Sequence, residues 1–270
     1  PEARLMLVSF YRQVGRLDQA RDYLEQLIAD HPEQEEYRLG LARFLVQQGQ
    51  DEQAEAVLEK GLREIEQAPR LTLALADRYR GLGRTDQARE MYQSIIEADP
   101  DALPALEARR GLAAMALAKR DTEQALSELD LVLSRNPGDT EALFLRGQAG
   151  LLLNQPTQAV TDLRQVVQEV PDRLEAYVLL AQAHFMNNES EIGTQTLKRA
   201  VERDPEFAPA RRALVRYRIS HGETDRALEE LQGLADEAPG SAAIQAEIGD
   251  VHLSREEYAQ ARQAYERVVS

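Results

Sequence analysis

An all-α chain of eight stacked helix-turn-helix units is what this sequence predicts, and three observations predict it. Its 270 residues reach the size at which one hydrophobic core stops growing, so either several domains or an elongated array is expected. Ala, Leu, Glu, Arg and Gln dominate, all good helix formers, and no stretch alternates apolar and polar residues as a half-buried strand does. The third observation is a repeat. Small residues stand at Ala20, Ala54, Ala88, Ala125, Ala159, Gly193, Ala227 and Ala261, spaced by 34 except for the 37 between Ala88 and Ala125.

That register divides a single array into units at residues 1–34, 35–68, 69–102, 106–139, 140–173, 174–207, 208–241 and 242–270, the last incomplete. The elements of each unit follow in order. Helix A runs for about a dozen residues and carries large-small pairs such as Leu41-Ala42, Leu75-Ala76 and Leu112-Ala113. It stops at Gly15, Gly49, Gly83, Asn154, Asn188 or Gly222, residue types that accept a left-handed backbone, while Arg120 and Glu256 depart from that rule. Helix B opens near Asp, Thr, Ser or Glu, whose acceptors and charge suit unpaired amides. Its small residue lets helix A approach. Four residues on, Leu24, Leu58, Tyr92, Leu129, Leu163, Leu197, Leu231 and Tyr265 share that face and are expected to fill the core.

Proline ends the unit at Pro32, Pro100, Pro137, Pro171, Pro205 and Pro239, the second copy having Glu66 there and Pro69 three residues later. The insertion around Asp101-Ala102-Leu103-Pro104 is expected to lengthen one loop between helix B and the next helix A. The last helix is expected over Glu257 to Ser270, presenting Tyr258, Tyr265, Val268 and Val269 with no polar cap after it. Helical pattern runs to both ends, which reads as a segment cut from a longer chain.

The segments Gly15-Arg16-Leu17-Asp18-Gln19-Ala20 and Gly83-Arg84-Thr85-Asp86-Gln87-Ala88, with the large-small pairs, resemble the tetratricopeptide repeat family across essentially the whole chain. The resemblance implies a right-handed α-α superhelical solenoid with helix A lining a concave groove, and it implies protein or peptide partners with no cofactor. It also implies that unit positions 2, 5, 9 and 12 face the groove. In copies four to six Ala114, Leu117, Phe144, Leu151, Val178 and Phe185 then form an apolar floor beside Gln148 and Gln182. Arg110 borders the floor on one side, Arg212 and Arg216 on the other, with Arg12, Arg43 and Arg80 earlier. Arginine forks bind carboxylates, so the ligand suggested is an apolar stretch with an acidic flank. Two bland alternatives stay open. Some floor residues can tuck between helices as core, and the arginines can pair with Glu107, Glu141, Glu175 or Asp77. The carboxylate clamp of chaperone-binding members needs Asn at position 6. Met6, Gly40, Ala74, Gly111, Leu145, Leu179, Ala213 and Glu247 stand there, so that clamp is absent.

The formal net charge of −15 repels phosphate backbones and anionic lipids, which disfavours a nucleic-acid role. No window is long and apolar enough for a membrane span, and no signal segment opens the chain. Without cysteine there is no disulfide or thiolate site. His31, His184, His221 and His252 suit loop, core or helix-end roles, and no catalytic, cofactor or metal site is expected. Gly81-Leu82-Gly83 imitates a dinucleotide loop but follows a helix and sits where every copy turns. Asn188-Glu189-Ser190 is a formal glycosylation triplet of a kind that chance often supplies.

The function expected is a scaffold or adaptor that takes a partner segment in its groove. Two alternatives are self-assembly through open ends or convex faces, and a non-catalytic recruitment region of a longer enzyme or transporter. Abundant arginine with three lysines suggests a bacterial source. Similar bacterial repeats serve envelope assembly or exopolysaccharide export, which inclines the compartment toward the periplasm over the cytoplasm.

Overall fold

The structure, a computed structural model, describes residues 2–238 and 240–268, with the side chains of Glu2 and Glu237 also outside the description. Pro239, Val269 and Ser270, read above as a unit stop and a helix end, lie outside the described residues. Among the described residues all regular structure is helical and forms eight antiparallel hairpins. Four belong to a first compact unit, Pro1–Arg135. They pair α1 (Glu2–Gln13) with α2 (Leu17–Asp30), α3 (Glu35–Gln47) with α4 (Asp51–Glu64), α5 (Pro69–Gly81) with α6 (Thr85–Ala98), and α7 (Leu103–Ala118) with α8 (Thr122–Arg135). Four more form a second, Asn136–Ser270. These are α9 (Thr140–Leu152) with α10 (Pro156–Glu169), α11 (Leu174–Met186) with α12 (Ser190–Arg203), α13 (Ala208–Ser220) with α14 (Thr224–Glu237), and α15 (Ala242–Ser254) with α16 (Tyr258–Glu266). Odd-numbered helices are the A helices. Consecutive A helices touch, α3 with α5 and α5 with α7 in the first unit, α9 with α11 and α11 with α13 in the second.

The small residue of each B helix is buried. Ala20, Ala54, Ala88, Ala125, Ala159 and Ala227 are fully buried, and Gly193 and Ala261 are buried with them. Four residues on, Leu24, Tyr92, Leu129, Leu163, Leu197 and Leu231 complete the core, whereas Tyr265 is half-buried. This side chain also reaches the next hairpin. A methyl group at Gly111 of α7 would stand 2.4 Å from the Tyr92 ring, so the aromatic at that position is accommodated by glycine on the following A helix.

Every hairpin turns on one left-handed residue. Gly15, Gly49, Gly83 and Gly222 have φ of 70 to 75°, and Asn154 and Asn188 have 56 and 61°. Arg120 and Glu256, which depart from the sequence rule, adopt the same conformation at 60°. The turn is closed by the amide of the next residue, which donates to a carbonyl five residues back, as from Asp121 to Ala116 and from Glu257 to His252, both at 2.9 Å. The backbone geometry is thus imposed by the packing of the two helices even where the side chain disfavours it.

Three sequence expectations are corrected. The insertion does not lengthen a loop: residues 99–102 separate α6 from α7, four residues like the 31–34 between α2 and α3, and the extra length enters α7, which has 16 residues against 13 in α5. Leu103 and Pro104 begin that helix, where proline lacks only an amide that would be unpaired anyway. Side-chain capping of the B helices is rare. Asp121 accepts from the Gln124 amide of α8 at 3.1 Å, but the N-cap residues of α2, α4, α6, α10 and α12 make no such bond, and first-turn Asp18, Asp51 and Asp86 act through charge. The last helix ends at Glu266.

Candidate protein-binding surface

The A-helix face of the first unit carries Arg110, Ala114 and Leu117 on successive turns of α7, all half-buried. The Arg110 guanidinium lies 3.6 Å from Glu107, one of the pairings open to it. The Tyr92 hydroxyl of α6 donates to Asp77 of α5 at 2.6 Å, and Arg80 of α5 reaches both, 3.2 Å from the hydroxyl and 3.5 Å from the carboxylate. Burial and that bond to Asp77 push the Tyr92 hydroxyl well above its ordinary pKa. Arg12 and Arg43 are exposed and make no ion pair among the described residues.

The second unit holds the remaining candidates. Phe144 is buried at 7 % exposure beneath the Arg173 guanidinium, 3.6 Å from its ring centroid, and Arg173 binds Glu141 at 2.5 and 3.3 Å. What this site offers to a ligand is therefore a neutralised guanidinium and not an open ring. Gln148, Leu151 and Val178 are half-buried and Gln182 is exposed. Phe185, half-buried, stacks face to face on Tyr217 with centroids 4.1 Å apart at 6°, and Tyr217 stacks on His221, also at 4.1 Å. The Phe185 ring also lies against Gly193, where a methyl group would meet it at 2.4 Å.

Beyond this stack α13 and α15 border a slot of about 410 Å³. Val215, Ile219 and Val251 give it an apolar floor, and Arg212, Arg216, Glu247 and Asp250 give it charged walls. Glu247 is shared, 3.4 Å from exposed Arg212 and 3.3 Å from fully buried Arg211. Asp250 accepts from the Tyr265 hydroxyl at 2.6 Å, and that bond, with some burial, pushes the tyrosine pKa up to about 12. Arg216 is exposed and makes no ion pair among the described residues. It is the groove arginine of this unit with its hydrogen-bonding capacity unspent.

Within the second unit Arg212 and Arg216 come together around one slot, while Phe144 and Phe185 are each occupied by a neighbouring side chain. Sequence reasoning missed Tyr217, Arg173 and the buried Arg211. One signal was available: tyrosine replaces leucine four residues after the small residue only at Tyr92 and Tyr265, the two copies whose ninth residue is aspartate, Asp77 and Asp250. The histidines serve structure. His184 and His252 hold Glu189 and Glu257 at 2.6 and 2.7 Å, as Arg218 holds Glu223 at 2.9 Å in the copy between them. Among the described residues no three His, Asp or Glu side chains are grouped to hold a metal, and no helix is long and apolar enough to cross a membrane.

Two family models, each described as tetratricopeptide repeat, match the chain, one over residues 11–78 and 150–217 and the other over 73–140, 116–172 and 212–270. No curated protein sequence matches it. Among solved structures, a tetratricopeptide repeat protein from Parabacteroides merdae is similar at 18 % identity and a TM-score of 0.61, over 87 % of this chain and 91 % of that one. The Cut9-Hcn1 hetero-tetramer of the APC/C gives 18 % and 0.67, over 79 % of this chain and 42 % of that one. MamA from Desulfovibrio magneticus RS-1 gives 17 % and 0.51, over 62 % and 93 %.

Proposed function

We propose a function from the premise that this chain belongs to the tetratricopeptide repeat family: it is a protein-protein interaction module whose A-helix face holds a segment of a partner. The observation that carries the finer reading is the slot between α13 and α15, where Arg216 stands unpaired above Val215, Ile219 and Val251. An apolar side chain entering the slot leaves a neighbouring carboxylate within the reach of a guanidinium, a pairing stronger than one between neutral groups. The partner segment is therefore apolar with an acidic neighbour. Within the second unit Leu151 and Val178 of copies five and six extend the surface we assign to binding, and in the first unit we assign Ala114 and Leu117 of copy four to the same kind of face. We read the chain as supplying no catalysis of its own; its arginine-rich composition supports a bacterial host, and by analogy with similar bacterial repeats we assign it to envelope assembly or export.

Fluorescence polarisation with labelled peptides tests this. A peptide carrying leucine beside two glutamates is expected to bind, its glutamine counterpart to bind about tenfold more weakly, and Arg216→Ala to remove that difference. Equal affinity of the two peptides for the native chain would sink the reading.

A second reading has its own observation. On α1 and in the turn that follows it, Met6, Phe10 and Val14 are 71, 52 and 48 % exposed, an apolar face suited to self-association. Mass measured across a concentration series decides it, a strict monomer counting against.

A further inference from the structure

The opposite, B-helix face also carries slots, each between two consecutive B helices and floored by the A helix that joins them. One lies between α2 and α4 over α3, about 460 Å³, and another between α12 and α14 over α13, about 240 Å³. The one between α14 and α16 over α15 is larger, about 600 Å³, a volume in the range of small-ligand sites, and it is built differently.

The difference begins at the fourth residue of the unit. In α3 that residue is Arg38, and in α13 it is Arg211, both almost completely buried. Each places one guanidinium nitrogen on a proline carbonyl, Pro32 or Pro205, and another on a carboxylate, Glu64 or Glu247. The fold thus stations a buried guanidinium at this register twice, supplied from within. In α15 the same register holds Gln245, shorter and uncharged. It is 7 % exposed, lines the slot, and its Oε1 atom has no hydrogen-bond partner among the described residues. A buried acceptor left unmet is costly, and the residue that carries it lines the slot.

We propose that this slot receives the arginine side chain of another protein. A guanidinium carries five donors and no acceptor, so it fits a pocket rich in carbonyl oxygens. Gln245, Gln232, Gln260 and Gln263, each with an amide oxygen, line the slot together with Asp236 and its carboxylate. Ala235, Ile248 and Ala264 offer apolar surface to the methylene stem. Arg267 also borders the slot but is engaged in an interaction of its own, and the His252 Nδ1 atom is taken by Glu257. A net charge of −15 favours the approach of a cationic segment. The proposal is independent of the A-helix face.

The probe is acetyl-Gly-Arg-Gly-amide, titrated into the full chain while side-chain amide resonances of Gln245 and Gln232 are followed by NMR. Saturable shifts are expected, with citrulline in place of arginine about tenfold weaker because it lacks the charge. Gln245→Arg, which supplies from within the guanidinium that Arg38 supplies at the same register of its own slot, is expected to abolish them. Gln245→Leu, which removes the acceptor, is expected to do the same, and circular dichroism verifies that both variants are folded. No saturable shift, an equal response to the citrulline peptide or to glucose, or an undiminished response in either folded variant overturns the proposal.

Discussion

At the scale of single residues, buried charge separates what holds the fold from what faces a ligand. Arg211 and Arg212 are neighbours that share Glu247, yet their side chains are 0 and 64 % exposed. Removing one member of a buried pair strands the other without water, at about 3–5 kcal/mol, whereas an exposed pair contributes about 0–1 kcal/mol. Glu247→Gln is therefore expected to lower stability by about 3 kcal/mol and Arg212→Ala by under about 1 kcal/mol, read from urea unfolding. Tyr265 adds a pH dependence. Its pKa is raised to about 12, so folding favours the protonated hydroxyl. The stability this contributes is complete below the ordinary tyrosine value of about 10 and is lost as pH climbs from there toward about 12. Tyr265→Phe is expected to flatten the stability profile across that interval, and an unchanged slope would show that the bond to Asp250 has no share in it. Such residues were hard to read in the sequence for a physical reason. Sterics at the small position act in every copy, so Ala20 and its seven equivalents leave a period. Arg211 answers to a glutamate in the next hairpin and looks, in sequence, like any surface arginine.

At the scale of the helix and its turn, glycine does opposite things at different places. Gly111 leaves room for the Tyr92 ring, which a methyl group would approach to 2.4 Å, whereas Gly233 inside α14 meets nothing within 4 Å. Gly111→Ala is expected to cost about 1–3 kcal/mol through overpacking. Gly233→Ala is expected to add about 0.8–1 kcal/mol by removing backbone freedom from the unfolded chain. Differential scanning calorimetry on the pair checks both signs at once. Arg120 and Glu256 hold a left-handed conformation that disfavours a side chain by about 1–2 kcal/mol, so Arg120→Gly is expected to raise the melting temperature. The hairpins themselves were legible, since stop, small residue and proline recur. The fate of the insertion was not. Residues around Leu103 and Pro104 suit either a loop or a first helical turn, and packing of α7, not local preference, chose the helix.

For the molecule as a whole, an excess of 15 negative charges sets the terms of association. Polyanions are repelled, and an acidic peptide must find Arg216 against that background, so its affinity is expected to fall as salt screens the local attraction, measured as polarisation at rising ionic strength. An arginine peptide on the B-helix face gains from both local and global fields. We thus assign to the two faces partners of opposite sign. The candidate groove residues could be assigned to A-helix positions from the repeat, but not as occupied or free, because occupancy depends on neighbours such as Arg173 and Tyr217 that lie in other hairpins.

The fit of Tyr92 reaches beyond stability. Its hydroxyl needs Asp77 from its own hairpin and its ring needs Gly111 from the next, so neither the single helix nor the single hairpin is interchangeable among copies. Duplication or shuffling of hairpins in such a gene would break one of these matches unless adjoining hairpins moved together. The order of the copies is in this way inherited as a constraint, and an engineer grafting a hairpin from this array into another should carry its successor with it.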